Sequence, residues 1–140
     1  MKKFSFNLQK VLQLRKFREE ECKMALGQAI SALNEIENKL KETAIKHHNA
    51  ALQRFTTPVQ MSVWDNYIIR LDQEAKRLEE QAAQAELVVE EKRAEYLEAS
   101  KDLKAIEKLK EKRQKEYRKE MFDAQMAEAD DLTATRLYNL

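Results

Sequence analysis

"MSVWDNYIIRLDQEAKRLEEQAAQAELVVEEKRAEYLEASKDLKAI", residues 61–106, advances in alternating steps of three and four. The steps land on Met61, Trp64, Ile68, Leu71, Ala75, Leu78, Ala82, Ala85, Val89, Lys92, Tyr96, Ala99, Leu103 and Ile106, of which only Lys92 is neither apolar nor aromatic. A 3.5-residue repeat of this length keeps one seam facing a partner while both helices supercoil, which is the requirement of a left-handed coiled coil. The stretch therefore predicts a helix with a partner along one face. The first half of the chain supplies a second, looser seam: Leu8, Leu12, Arg15, Glu19, Cys22, Leu26, Ala29, Leu33, Ile36, Leu40, Thr43, His47 and Ala50. Many seam residues are alanine, which lets helices approach closely but buries less area than leucine.

Between the seams lies "RFTTPVQMS", residues 54–62, with the only proline of the chain. Pro58 fits only the first turn of a helix, and the Thr57 hydroxyl before it can cap that helix. The chain is expected to reverse at residues 54–58, with helix 1 over about 4–53 and a longer, overhanging helix 2 over about 58–137. Gly27, the only glycine, sits inside the periodic pattern, where it costs about 1 kcal/mol against alanine and is tolerated. With 140 residues, one glycine, one proline and 36% charged residues, there is almost no material for turns. The expected fold class is all-α: a single antiparallel coiled-coil hairpin over residues 1–140, monomeric on its own. A reversal about residue 57 would set position 57 − n against 57 + n, placing Phe4 opposite residue 110. The seam turns charged at its next two places, Lys110 and Arg113, so the overhang is expected to begin near residue 111.

A formal net charge of +1 conceals a pattern. Residues 1–18 carry six Lys or Arg and no acid, and residues 101–119 carry nine against four acids, leaving an acidic remainder. A hairpin would bring both basic segments together. Nucleic acid is not expected as the partner of that charge, because acids are interleaved with the bases and no nucleic-acid module is recognisable. No stretch approaches the roughly 18–20 apolar residues of a membrane span, and "MKKFSFNLQKVLQL" is too broken by polar residues for a signal peptide. A cytoplasmic protein is expected. Cys22 is the only cysteine and reads as a small seam residue.

Catalysis is not expected. The sequence has no Gly-rich phosphate loop, no HExxH, no cysteine pair and no nucleophile elbow, and a bare hairpin offers no pocket in which to tune a pKa. His47 and His48 diverge by about 100° on a helix, so they cannot share a metal ion as an i, i+4 pair would. No cofactor or metal is implied.

Three segments carry a resemblance: "FSFNLQKVLQLR" (Phe4, Phe6, Leu8, Val11, Leu12, Leu14, Arg15), "WDNYIIRLD" (Trp64, Tyr67, Ile68, Leu71, Asp72) and "EADDLTATR" (Glu128 to Arg136). In order, spacing and total length the chain resembles the flagellar type III export proteins of the J class, the FliJ family. The resemblance implies an antiparallel coiled coil similar to the rotor stalk of F-type ATP synthases, acting without catalysis. It would insert into the hexameric flagellar export ATPase, contact the export-gate membrane protein and escort export chaperones, in the cytoplasm and peripherally at the inner membrane. By the same resemblance Phe4, Phe6, Leu8, Val11, Leu12 and Arg15 would meet the ATPase ring, with Arg113, Tyr117 and Met121 opposite or just beyond. Tyr67 and Leu71 would meet the gate, matching an aromatic and a leucine four apart in the family. Lys46 and Ala50 depart from it, standing roughly where other members show aromatics. Two other uses of the same heptads remain open at this stage: a generic dimeric tether, and a prefoldin-like holding chaperone.

Overall fold

The computed structural model describes residues 3–54 and 56–139, so Phe55 of the expected bend and Lys2 of the basic segment lie outside the described residues. Two helices, α1 (Gln9–Ala51, 43 residues) and α2 (Pro58–Tyr138, 81 residues), pack against each other antiparallel. Among the described residues there is no strand. Contacts divide the chain into two compact units, one of residues 1–19 and 98–140, the other of residues 20–97.

The start of α2 follows from its sequence. Thr57 Oγ1 accepts the Gln60 backbone N–H at 3.3 Å, and the Gln60 side-chain oxygen reaches back to the backbone N–H of Thr56 at 3.4 Å. This is a capping box displaced by one residue at its return arm, with Pro58 in the first helical position, where a missing N–H costs nothing. Helix α1 ends without a glycine cap, by tightening: the Gln53 N–H donates to the Ala50 carbonyl at 3.2 Å, three residues back. At its start α1 is shorter than the periodicity predicts, because residues 3–8 approach in a non-helical path that closes with Gln9 N–H donating to the Phe6 carbonyl at 3.1 Å.

The seams are where the sequence puts them. Every seam position from Leu8 to Ala50 in the first half of the chain is buried or half-buried, as is every α2 seam position from Trp64 to Ile106. Within the seams the polar members are mostly satisfied. The buried Thr43 hydroxyl donates to the Lys39 carbonyl one turn back at 2.9 Å, His47 Nε2 meets Asp72 Oδ1 at 3.1 Å, and Lys92 Nζ lies 3.5 Å from Glu95.

The register differs from a reversal about residue 57. In the unit of residues 1–19 and 98–140, Arg15 meets Asp102 and Gln9 meets Lys110, and in the unit of residues 20–97 His47 meets Asp72. These partners lie three to five residues further along α2 than expected, so that 57 − n faces about 61 + n. The cause is the spacing of the seams. In antiparallel helices a step of four on one side must oppose a step of four on the other, or the layers lose their level. Setting Leu40 against Leu78, Ile36 against Ala82 and Leu12 against Ile106 keeps steps matched, whereas Ile36 against Leu78 does not. Ala51, the last residue of α1, is then level with residue 67. The first turns of α2 run past the end of α1, and Met61 is the one α2 seam residue left exposed, at 51%.

Candidate functional site

In the unit that holds both chain ends, Phe6, Leu12 and Ile106 form a buried cluster, with Phe4, Leu8, Val11, Leu103 and Leu109 packed against it. The Phe4 ring lies 5.5 Å from that of Tyr117, tilted by 54°. The charged seam positions have partners. Lys110 Nζ donates to Gln9 Oε1 at 2.9 Å and Arg113 Nη1 to Asn7 Oδ1 at 3.3 Å. The seam changes chemistry there because its partner does, from the apolar face of a helix to the amides of Gln9, the first residue of α1, and of Asn7 in the non-helical approach segment. The partner does not run out at residue 110. Extended chain covers about twice the distance per residue of a helix, so the approach segment carries Phe4 on to Tyr117.

Of the residues expected at an ATPase ring, Phe6 and Leu12 are consumed by the core, at 8% and 3% exposure. Phe4, Leu8, Val11, Tyr117 and Met121 are half-buried, and Arg113 is exposed. Arg15 is half-buried rather than solvent-facing, and its guanidinium donates to the Asp102 carbonyl at 2.8 Å. Lys3, Phe4, Arg113, Tyr117, Glu120 and Met121 are among the residues lining a shallow groove of about 500 Å³. From Phe122 to Asn139 every residue is exposed. Within that stretch Phe122, Met126, Ala129, Thr133 and Leu137 share one helix face by steps of four and three. The seam continued in steps of three and four, through Tyr117, Ala124 and Ala127, lies on nearly the opposite side of α2, so the 3.5-residue pattern does not mark this stripe.

In the unit that holds the bend, Leu71 is buried at 8% within the seam, so it serves packing first. Tyr67, four residues earlier, is half-buried and meets Trp64 edge-on, with centroids 5.4 Å apart at 84°. Val63, Trp64, Tyr67 and Arg70 line a depression of about 210 Å³. Lys46 is exposed, and Ala50 is buried at 3%. His47, Asp72, Thr43 and Leu71 border a further groove of about 440 Å³. On α2, the hydrogen bond from Arg77 holds the Glu74 carboxyl below its ordinary range and raises the guanidinium in return. Glu74 is half-buried and Arg77 exposed, and the pair stays open to water as a surface feature. Among the described residues no group of three or more His, Cys, Asp or Glu could hold a metal ion. Cys22 is a half-buried free thiol at its seam position.

What these surfaces offer is docking: an aromatic and basic cluster at the chain ends, and an aromatic and aliphatic cluster at the bend. The model of the family described as Flagellar FliJ protein matches residues 4–139, nearly the whole chain. The chain belongs to the FliJ family. No curated protein and no solved structure matches it. Membership makes it a flagellar export-related component of a family that is in general non-enzymatic. The all-α helical hairpin agrees with what the resemblance to FliJ proteins implied, and among the described residues no helix is long and apolar enough to cross a membrane.

Proposed function

We propose that the chain is the stalk of the flagellar type III export apparatus, which inserts into the hexameric export ATPase, links it to the membrane export gate and escorts export chaperones. The observation that carries this reading is the FliJ family match over residues 4–139. The unit of residues 1–19 and 98–140 would enter the ring. It gathers both chain ends, most of the basic residues and the exposed stripe of Phe122, Met126 and Leu137. Charge would steer the encounter and the apolar side chains would fix the register. The unit of residues 20–97 would face the gate through Tyr67 and its neighbours, with Leu71 acting by holding the helices together. The chain works peripherally at the cytoplasmic face of the membrane in this reading, and it is monomeric when free.

The test is co-purification of the tagged chain with the export ATPase, together with measurement of ATP hydrolysis with and without the chain. Association and a raised rate support the stalk. An elongated monomer that leaves the ATPase untouched and suppresses aggregation of unrelated clients would replace it with a holding chaperone.

A further inference from the structure

The bend carries a pattern that the heptads do not require. From Thr43 to Trp64 the chain runs 22 residues without an acid, although it holds 25 acids in all. The charges in that run are Lys46 and Arg54, with His47 and His48 beside them. The same run is rich in aliphatic surface: Leu52 is 66% exposed, Val59 73%, Met61 51% and Val63 59%. Helix α2 begins here past the end of α1, so no partner helix can cover these side chains. On α2, Val59, Val63, Tyr67 and Arg70 share one face, and Asp65, the first acid after the run, points to the other side.

We propose that this tip is a membrane-surface anchor, dipping its aliphatic side chains into a bilayer bearing anionic headgroups. The inference goes beyond the stalk reading and does not rest on it. Charge complementarity selects an anionic surface, because the run carries Lys46 and Arg54 and no acid in a chain with 25 acids, so a negative leaflet attracts it, with Asp65 just beyond the run as the nearest opposing charge. Geometry selects a fluid one. Val59 and Val63 project to one side of α2, Met61 to the opposite side, and Leu52 leaves from the other arm of the bend, so no flat protein face could meet them together. A lipid surface closes around such a protrusion. Depth agrees as well. Trp64 and Tyr67 follow Val59 by five and eight residues, about 8–12 Å along a helix. Apolar faces of interfacial segments sink about 5–10 Å, which would leave the aromatic pair at headgroup level, the depth at which such amphipathic rings settle.

Trp64 is the only tryptophan of the chain, so its fluorescence reports on the tip alone. The full-length protein is mixed with 100-nm vesicles of phosphatidylcholine containing about a third phosphatidylglycerol, and with vesicles of phosphatidylcholine only. The expected results are co-sedimentation with the anionic vesicles and a blue shift of Trp64, quenched by brominated lipid and reversed by high salt. The double variant Val59→Ser, Val63→Ser and the single variant Arg54→Glu each weaken binding at least fivefold, while circular dichroism shows unchanged helicity. Binding without a Trp64 shift, or binding that survives the tip variants, would assign the vesicles to the basic chain ends and overturn the proposal. A Trp64 shift that only a protein partner elicits, with vesicles inert, would overturn it too and make the tip a protein-docking surface.

Discussion

At Gly27 a Cβ would meet nothing within 4 Å, and the residue sits within α1 with an ordinary negative φ. Gly27→Ala is therefore expected to stabilise the protein by about 0.5–1 kcal/mol, because glycine in a helix loses more backbone freedom on folding and gains no contact in return. An unchanged or lower thermal midpoint would mean that an added methyl at this position meets a neighbour or disturbs the helix backbone. The opposite sign holds at Leu78, which is 2% exposed. Leu78→Ala should cost about 2–4 kcal/mol by removing a seam side chain that the facing helix cannot fully replace. Both positions were legible in the sequence, since a period of 3.5 puts Leu78 on the seam and Gly27 off it. Arg15 was not. The sequence places it on the seam and makes it basic, but only the level at which α1 meets α2 aims its guanidinium at the Asp102 carbonyl.

At the scale of the elements, periodicity fixes faces and leaves sliding undetermined. A seam repeating every seven residues looks the same after a slip of a whole heptad, and the matching of steps of four against steps of four permits only certain registers. A reversal about residue 57 falls between two permitted registers. The structure takes the one in which the helix-capping turn at Thr57 and Gln60 stands clear of α1. Spin labels at residues 36 and 82, in a Cys22→Ala background, should therefore lie closer than labels at 36 and 78. The reverse order would return the pairing to the symmetric bend. The bend is expected to tolerate length. Two glycines inserted between Gln53 and Arg54, outside the capping box, should shift stability by less than about 1 kcal/mol, since closure entropy grows only logarithmically. A large loss of helicity on denaturation midpoints would mean that this segment transmits strain between the helices. The non-helical approach of residues 3–8 was equally hidden, because its apolar residues fit a helical spacing and only the pairing of Asn7 with Arg113 and the turn that Gln9 N–H closes on the Phe6 carbonyl reveal that the path changes.

For the molecule as a whole, the proposed stalk role makes the unit with both chain ends the first place to look for the ATPase, and charge is the testable part of that proposed contact. Arg15 and Arg113 are poor sites for reversal, because they hold the ends of the hairpin together through Asp102 and Asn7. Lys112, Lys115 and Lys119 are exposed and spaced by three and four, so they share a face of α2 without touching the seam. Reversing all three to Glu should leave helicity intact, weaken association with the export ATPase at least tenfold and abolish most stimulation of its hydrolysis. Raising the salt concentration should weaken the native chain in the same direction, since exposed charges are screened beyond about 8–10 Å at physiological ionic strength. Phe122→Ser with Met126→Ser should behave differently, lowering affinity with little change in its salt dependence, because the loss is of apolar contact rather than of long-range attraction. The control is Tyr67→Ala at the bend, expected to keep ATPase stimulation and to impair motility. If the triple reversal stimulates the ATPase normally while Tyr67→Ala does not, the unit with the bend, and not the unit with the chain ends, is the one that engages the ring.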